Sequence, residues 1–95
     1  MAKYYLNLRE TANYYRDECG VEVADVVLLR ARVVHEARGT MSQDILDGEL
    51  SLGSSIEVTD ETGAIVLTVK FGDAVAITAP TTIWTAIGMT PSTVP

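Results

Sequence analysis

The chain has 95 residues and a formal charge of −6, with 47% hydrophobic and 21% charged residues and three prolines, the balance of a folded domain and not of a disordered segment. Its seven Lys and Arg are dispersed among thirteen acids, which opposes nucleic-acid binding, because affinity for a phosphate backbone starts from clustered cations. One cysteine excludes an intramolecular disulfide and any multi-cysteine zinc site, and a chain this short forms a single thin-cored domain hiding only about 65% of its unfolded surface.

Residues 3–9 alternate, with Tyr4, Leu6 and Leu8 on one face and Tyr5, Asn7 and Arg9 on the other, which predicts a half-buried strand. A polar turn over 10–13 returns the chain so that Tyr14-Tyr15-Arg16 pairs back as a second strand. Asp17-Glu18-Cys19-Gly20 reads as a further turn, closed by a glycine free to take positive φ.

From Asp25 the period becomes helical. Val26, Leu29, Val33, Ala37 and Met41 follow one another at spacings of three and four, and Val27, Val34 and Ile45 widen the stripe. Asp25 is the expected N-cap and Asp47-Gly48 the expected stop. A helix over 26–47 is roughly 33 Å long, against about 20–23 Å for a strand of six or seven residues, so its second half is expected to overhang the sheet. Gly39-Thr40 marks a bend or a change of packing partner.

Residues 49–54 form a connection. Residues 55–59 and 64–71, either side of Asp60-Glu61-Thr62-Gly63, form a second hairpin, with Ile56 and Val58 sharing one face and Ile65, Leu67, Val69 and Phe71 another. The last of these strands is apolar on both sides, which predicts a central place in the sheet. Residues 74–80 read as a short additional strand, and 81–95, threonine-rich and without a charged side chain, as a tail. The expected architecture is therefore α+β in two layers, ββαββ, with antiparallel hairpins packed on one long helix over residues 1–75 and an apolar C-terminal extension over 76–95.

Several ordered blocks carry a resemblance. They are Tyr4-Tyr5-Leu6-Asn7-Leu8, the turn from Arg16 through Cys19-Gly20 to Glu22, the Asp25 helix with Arg30-Ala31, the Asp47-Gly48 exit, and the run from Ile56 through Gly63 into Leu67-Thr68-Val69-Lys70-Phe71. Over residues 3–75 they resemble a family of short, uncharacterised alphaproteobacterial proteins catalogued as a domain of unknown function, which implies no activity to carry across. The resemblance also implies a polar residue where Cys19 stands and an alanine-rich helix where this chain has Val27, Leu28, Val33 and Val34.

Candidate chemistry is sparse. Cys19 and His35 are the only thiol and the only imidazole, and Cys19 stands in a turn among acids at 17, 18 and 22, not among the cations that activate a catalytic cysteine. Asp44, Asp47, Glu49 and the Asp60-Glu61 turn lack the alternating ligand spacing of a calcium loop, so no catalytic, metal or cofactor residue is assigned. Arg30, three to four residues from Val26 and Val33, is expected to lay its stem along the core edge, and Arg30, Arg32 and Arg38 share their helix with Asp25, Glu36 and Asp44 as a mixed solvated surface. One helix covers one face of a four-stranded sheet. The other face, with Tyr5, Thr59, Val66 and Thr68, is left for the tail residues Ile77, Ile83, Trp84 and Ile87, for a second subunit, or for another protein adding a strand at an edge. Leu28, Ala31 and His35 offer a weaker stripe on the back of the helix.

The expected function is a non-enzymatic interaction module forming a homodimer or other homo-oligomer, with Tyr5, Val66, Thr68, Ile77 and Trp84 as the candidate surface. No nucleic-acid or membrane partner is expected. The absence of a long apolar run or signal-like amino terminus places it in the cytoplasm. Two alternatives stay open. The Tyr4-Tyr5 strand, acidic turn and helix resemble the antitoxin domain that binds small hairpin-type RNase toxins, although the second domain is lacking. An enzyme of unrecognised type would require a deep pocket holding His35 and an acid.

Overall fold

In the computed structural model, which describes residues 2–78, the alternating amino-terminal run becomes strand β1 (Ala2–Arg9). Antiparallel partners follow it along its length: β2 (Tyr14–Tyr15) lies beside Leu8 and Arg9, and β3 (Val21–Val23) beside Ala2 to Tyr4. The third strand adds to the expected order, which becomes βββαββ. The cause is local. Between the two paired segments β1 has three residues and the returning chain five, and Asp17 accepts the β1 N–H that a continuous strand would have taken, Leu6 N at 3.1 Å. Because the offset is two residues, inward and outward side chains keep their faces on either side of the interruption.

The helix α1 (Val26–Leu46) starts and ends where capping chemistry dictates. The Asp25 carboxylate accepts from Leu28 N at 2.9 Å, satisfying one of the free amides of the first turn. At the other end Gly48 takes φ +86°, its N–H reaching the Ile45 carbonyl and the Glu49 N–H the Asp44 carbonyl, the paired bonds of a Schellman motif. The helix is continuous through Gly39, which is exposed with open space around it. Its buried stripe is Leu29, Val33, Ala37 and Met41; Val26 and Ile45, expected on the stripe, are 65% and 58% exposed. The sheet reaches no further than those four residues, and the last turn of the helix overhangs.

The second hairpin is β4 (Ser55–Thr59) and β5 (Ile65–Lys70), followed by a 3₁₀ turn (Phe71–Asp73). Sheet order is β2-β1-β4-β5, with all neighbours antiparallel. Thus β5, expected at the centre, is an edge strand among the described residues. Its apolar character reflects the core on one side and an uncovered border on the other. The alternation of β5 also breaks. Val58 opposes Leu67 but Thr59 opposes Ile65, so Val66 is the extra residue of a bulge and Ile65 shares the face of Thr59 instead of the face of Leu67. Residues 74–78 form no strand, contrary to expectation, and 79–95 lie outside the described residues.

Helix and sheet meet through Leu29, Val33, Ala37 and Met41 on one layer and Ile56, Val58 and Val69 on the other, with Phe71 and Ala74 closing one end. Tyr4, Leu6, Leu8, Val23 and Leu67 flank this core. Each fully buried Leu, Val or Phe contributes about 1.5–3 kcal/mol, which is what a domain of this size depends on.

Candidate interaction surface

The sheet face away from the helix is built from the outward-pointing residues Lys3, Tyr5, Asn7 and Arg9 of β1, Ser55, Glu57 and Thr59 of β4, and Thr68 and Lys70 of β5. Most of this face is polar and internally matched. Arg9 Nε donates to Glu57 Oε2 at 2.7 Å and its guanidinium lies 4.3 Å from the centre of the Tyr14 ring, while Lys3 Nζ stands 5.8 Å from the ring of Tyr5. At the middle of the face Asn7 is only 3% exposed. Its amide donates to the Glu57 carbonyl at 3.0 Å and to Thr59 Oγ1 at 3.2 Å, and its Oδ1 accepts from Asp17 N at 2.9 Å.

Asn7 and Asp17 together hold the interruption between β2 and β3. Partial burial opposes ionisation of Asp17, but the N–H groups of Gly20, Leu6 and Cys19 and the charge of Lys3 outweigh it and hold the carboxyl below its ordinary 3.8. Gly20 completes the loop at φ +75°, where an added Cβ would stand 2.9 Å from Lys3 Cε and 3.0 Å from the Tyr4 carbonyl oxygen. Cys19 is exposed in this loop, and its backbone N–H serves Asp17. It borders a groove with Arg32 and Glu36, an ion pair on the helix, whereas His35 does not line that groove. Asp60 closes the β4–β5 turn, where the Thr62 hydroxyl and the N–H groups of Thr62 and Ala64 bind its carboxylate and hold it below the usual value. Among the described residues no three His, Cys, Asp or Glu side chains gather where they could hold a metal ion, and no helix is long and apolar enough to cross a membrane.

The uncovered apolar surface lies elsewhere, where α1 meets the β5 border. Val27 is 73% exposed, and with Val26, Ala31, Val34 and Leu67 it lines a groove of about 500 Å³ flanked by Arg30 and Arg38. Arg30 therefore stands beside apolar residues, as expected, but on this groove and not on the buried stripe. Ile65, turned to the face of Thr59, and the bulge residue Val66 are also exposed on β5 but do not line the groove. Among the described residues nothing pairs with the border itself. Phe71 N bonds the Ser54 carbonyl at 2.8 Å in the β4–β5 register, so by antiparallel alternation Val69 and Leu67 direct their backbone groups to β4, and Thr68 and Lys70 direct theirs outward.

A family model for a domain of unknown function, DUF6894, matches residues 3–72, from the second residue of β1 into the 3₁₀ turn. The chain belongs to the DUF6894 family. No curated protein and no solved structure matches it. The matched span includes the helix and both hairpins, so Tyr5, Val66 and Thr68 belong to the DUF6894 domain while Ile77 and Trp84 follow it. Of the expected surface residues, Tyr5 is half-buried on the polar face, with β4 between it and β5. Val66 and Thr68 are exposed on the edge strand, Ile77 is exposed beyond the 3₁₀ turn, and Trp84 lies outside the described residues. The face, which Tyr5 and Thr68 share, and the outward backbone border of β5 are thus distinct surfaces of the DUF6894 domain. Single-sequence periodicity does not reveal the edge, because a central strand and an uncovered edge strand are both apolar on two sides.

Proposed function

We propose that this domain is a non-enzymatic protein-interaction module that self-associates, two copies joining their β5 edges antiparallel into one continuous sheet. The observation that carries this reading is the state of that edge: a six-residue strand with outward backbone groups at Thr68 and Lys70 and exposed Ile65 and Val66. Sheet edges in monomeric proteins are blunted by prolines, inward charges or covering elements, and β5 has one terminal Lys70 and no proline. Antiparallel self-pairing centred on Thr68, whose backbone groups point outward, sets Lys70 of each copy opposite Val66 of the other and keeps the two Lys70 side chains about 14 Å apart at ~3.4 Å per residue, so no like charges meet. The polar face, already satisfied by its own ion pair and Asn7 network, contributes rim and not contact.

Light scattering on the full chain tests the reading. Dimer mass is expected at high concentration, and Thr68→Pro should return the monomer, because it removes an outward donor without touching the β4–β5 ladder. Val66→Lys should act in the same direction through charge. A monomer at every concentration, or a dimer indifferent to Thr68→Pro, would contradict it.

A further inference from the structure

The groove between α1 and β5 is a separate surface, on the helix side of the sheet, and its occupancy does not depend on dimerisation. We infer that it is the docking site of this chain's own residues 79–95, with Ile83, Trp84 and Ile87 laid against Val27, Ala31, Val34 and Leu67. Three observations converge on that occupant.

The first is where the described chain ends. Ala74 is buried, its carbonyl accepts from Arg38 Nε at 2.7 Å, and Val75 packs on the core. Arg38 is also one wall of the groove. The chain therefore leaves the core at the groove's own end. The second is reach. From Val26 to Arg38 the helix rises about 18 Å at ~1.5 Å per residue, and the nine residues from Ala74 to Ile83 span up to about 30 Å, so the apolar part of the tail meets any point along the groove. The third is charge. Arg30 and Arg38 flank the apolar floor, and a second copy seated there by two-fold symmetry would bring its own pair of arginines against them. Residues 79–95 have no charged side chain, so they bury apolar area without that repulsion, and the indole face of Trp84 is attracted by a guanidinium.

Trp84 is the chain's only tryptophan, so its fluorescence reports the tail without any label. In the full chain the expected emission is blue-shifted and severalfold less accessible to acrylamide than after unfolding in urea, at every protein concentration. Val27→Glu and, separately, Ala31→Glu replace exposed groove residues and should move the emission to that of solvated indole while far-UV circular dichroism stays unchanged. Ile45→Glu, exposed beyond the groove, should leave it in place. Solvated emission in the unaltered chain would overturn the inference. So would a blue shift insensitive to both groove variants, or one that fades on dilution, which would assign the groove to a second copy. Light scattering of the same samples reads the β5 edge independently, so the two proposals fail separately.

Discussion

Replacing Asn7 by leucine isolates the polar centre of the sheet. The two side chains are similar in size, so the perturbation is loss of hydrogen bonding at a position that is almost wholly buried. Three bonds of 3.2 Å or shorter disappear, the amide to the Glu57 carbonyl, the amide to Thr59 Oγ1, and Asp17 N to Oδ1, together with a longer one of 3.4 Å from the amide to the Tyr5 carbonyl. The Thr59 hydroxyl is half-buried and re-solvates, and the Glu57 carbonyl belongs to a residue already in the β1–β4 ladder. The Asp17 N–H is left without its acceptor, which costs about 1–3 kcal/mol, and the other two bonds add about 1 kcal/mol each before the gain from buried leucine is subtracted. The net is about 2–3 kcal/mol, a large part of the about 5–15 kcal/mol that holds a domain together. Urea unfolding should show a midpoint lowered by about 1–2 M at unchanged slope. Amide exchange at Asp17, Cys19 and Gly20 should accelerate more than at the β4–β5 ladder. Thr59→Val, which leaves the bonds to Glu57 and Asp17, should cost under about 1 kcal/mol. An Asn7→Leu midpoint equivalent to less than about 0.5 kcal/mol of destabilisation would refute the reasoning.

Gly20→Ala and Gly48→Ala form a matched pair, since both glycines sit at positive φ but only Gly20 is crowded, by Lys3, Tyr4 and Tyr5; thermal unfolding should show about 1 kcal/mol lost at Gly48 and about 2–3 kcal/mol at Gly20. Asp17 binds its proton more weakly folded than unfolded, so its contribution to stability is complete above about pH 4 and is lost as pH falls through the lowered folded value; Asp17→Asn should flatten the acid limb of a stability–pH curve. Phe71→Ala, at a position 1% exposed that closes the core, should cost about 3–5 kcal/mol in the same unfolding assay.

Much of the fold is legible in the sequence because local chemistry and periodicity agree. The cap at Asp25, the Gly48 stop, the Leu29–Val33–Ala37–Met41 stripe and both hairpins follow from residue type and spacing alone. What is not legible depends on non-local bonding. No pattern in residues 16–20 announces that an Asp17 carboxylate replaces a strand's backbone, and so β3 has no counterpart among the elements read from the sequence. The bulge at Val66 is equally silent in an unbroken apolar run, yet it turns Ile65 to the other face. The candidate surface is affected most. Tyr5 and Thr68 read as members of one open contact face because strand alternation does place them there, but the bonds of Asn7 and the Arg9–Glu57 pair, which make that face self-sufficient, exist only once β1 lies beside β4.

Backbone amide exchange at Thr68 and Lys70, followed as the full chain is concentrated, tests self-association through β5 most directly. These two outward N–H groups should be fast in dilute solution and become protected together at the concentrations where light scattering reports a dimer, while Leu67 and Val69, already bonded to β4, change little. Thr68 and Lys70 amides that stay fast in a sample shown to be dimeric, or that are equally protected at every concentration, would contradict the account.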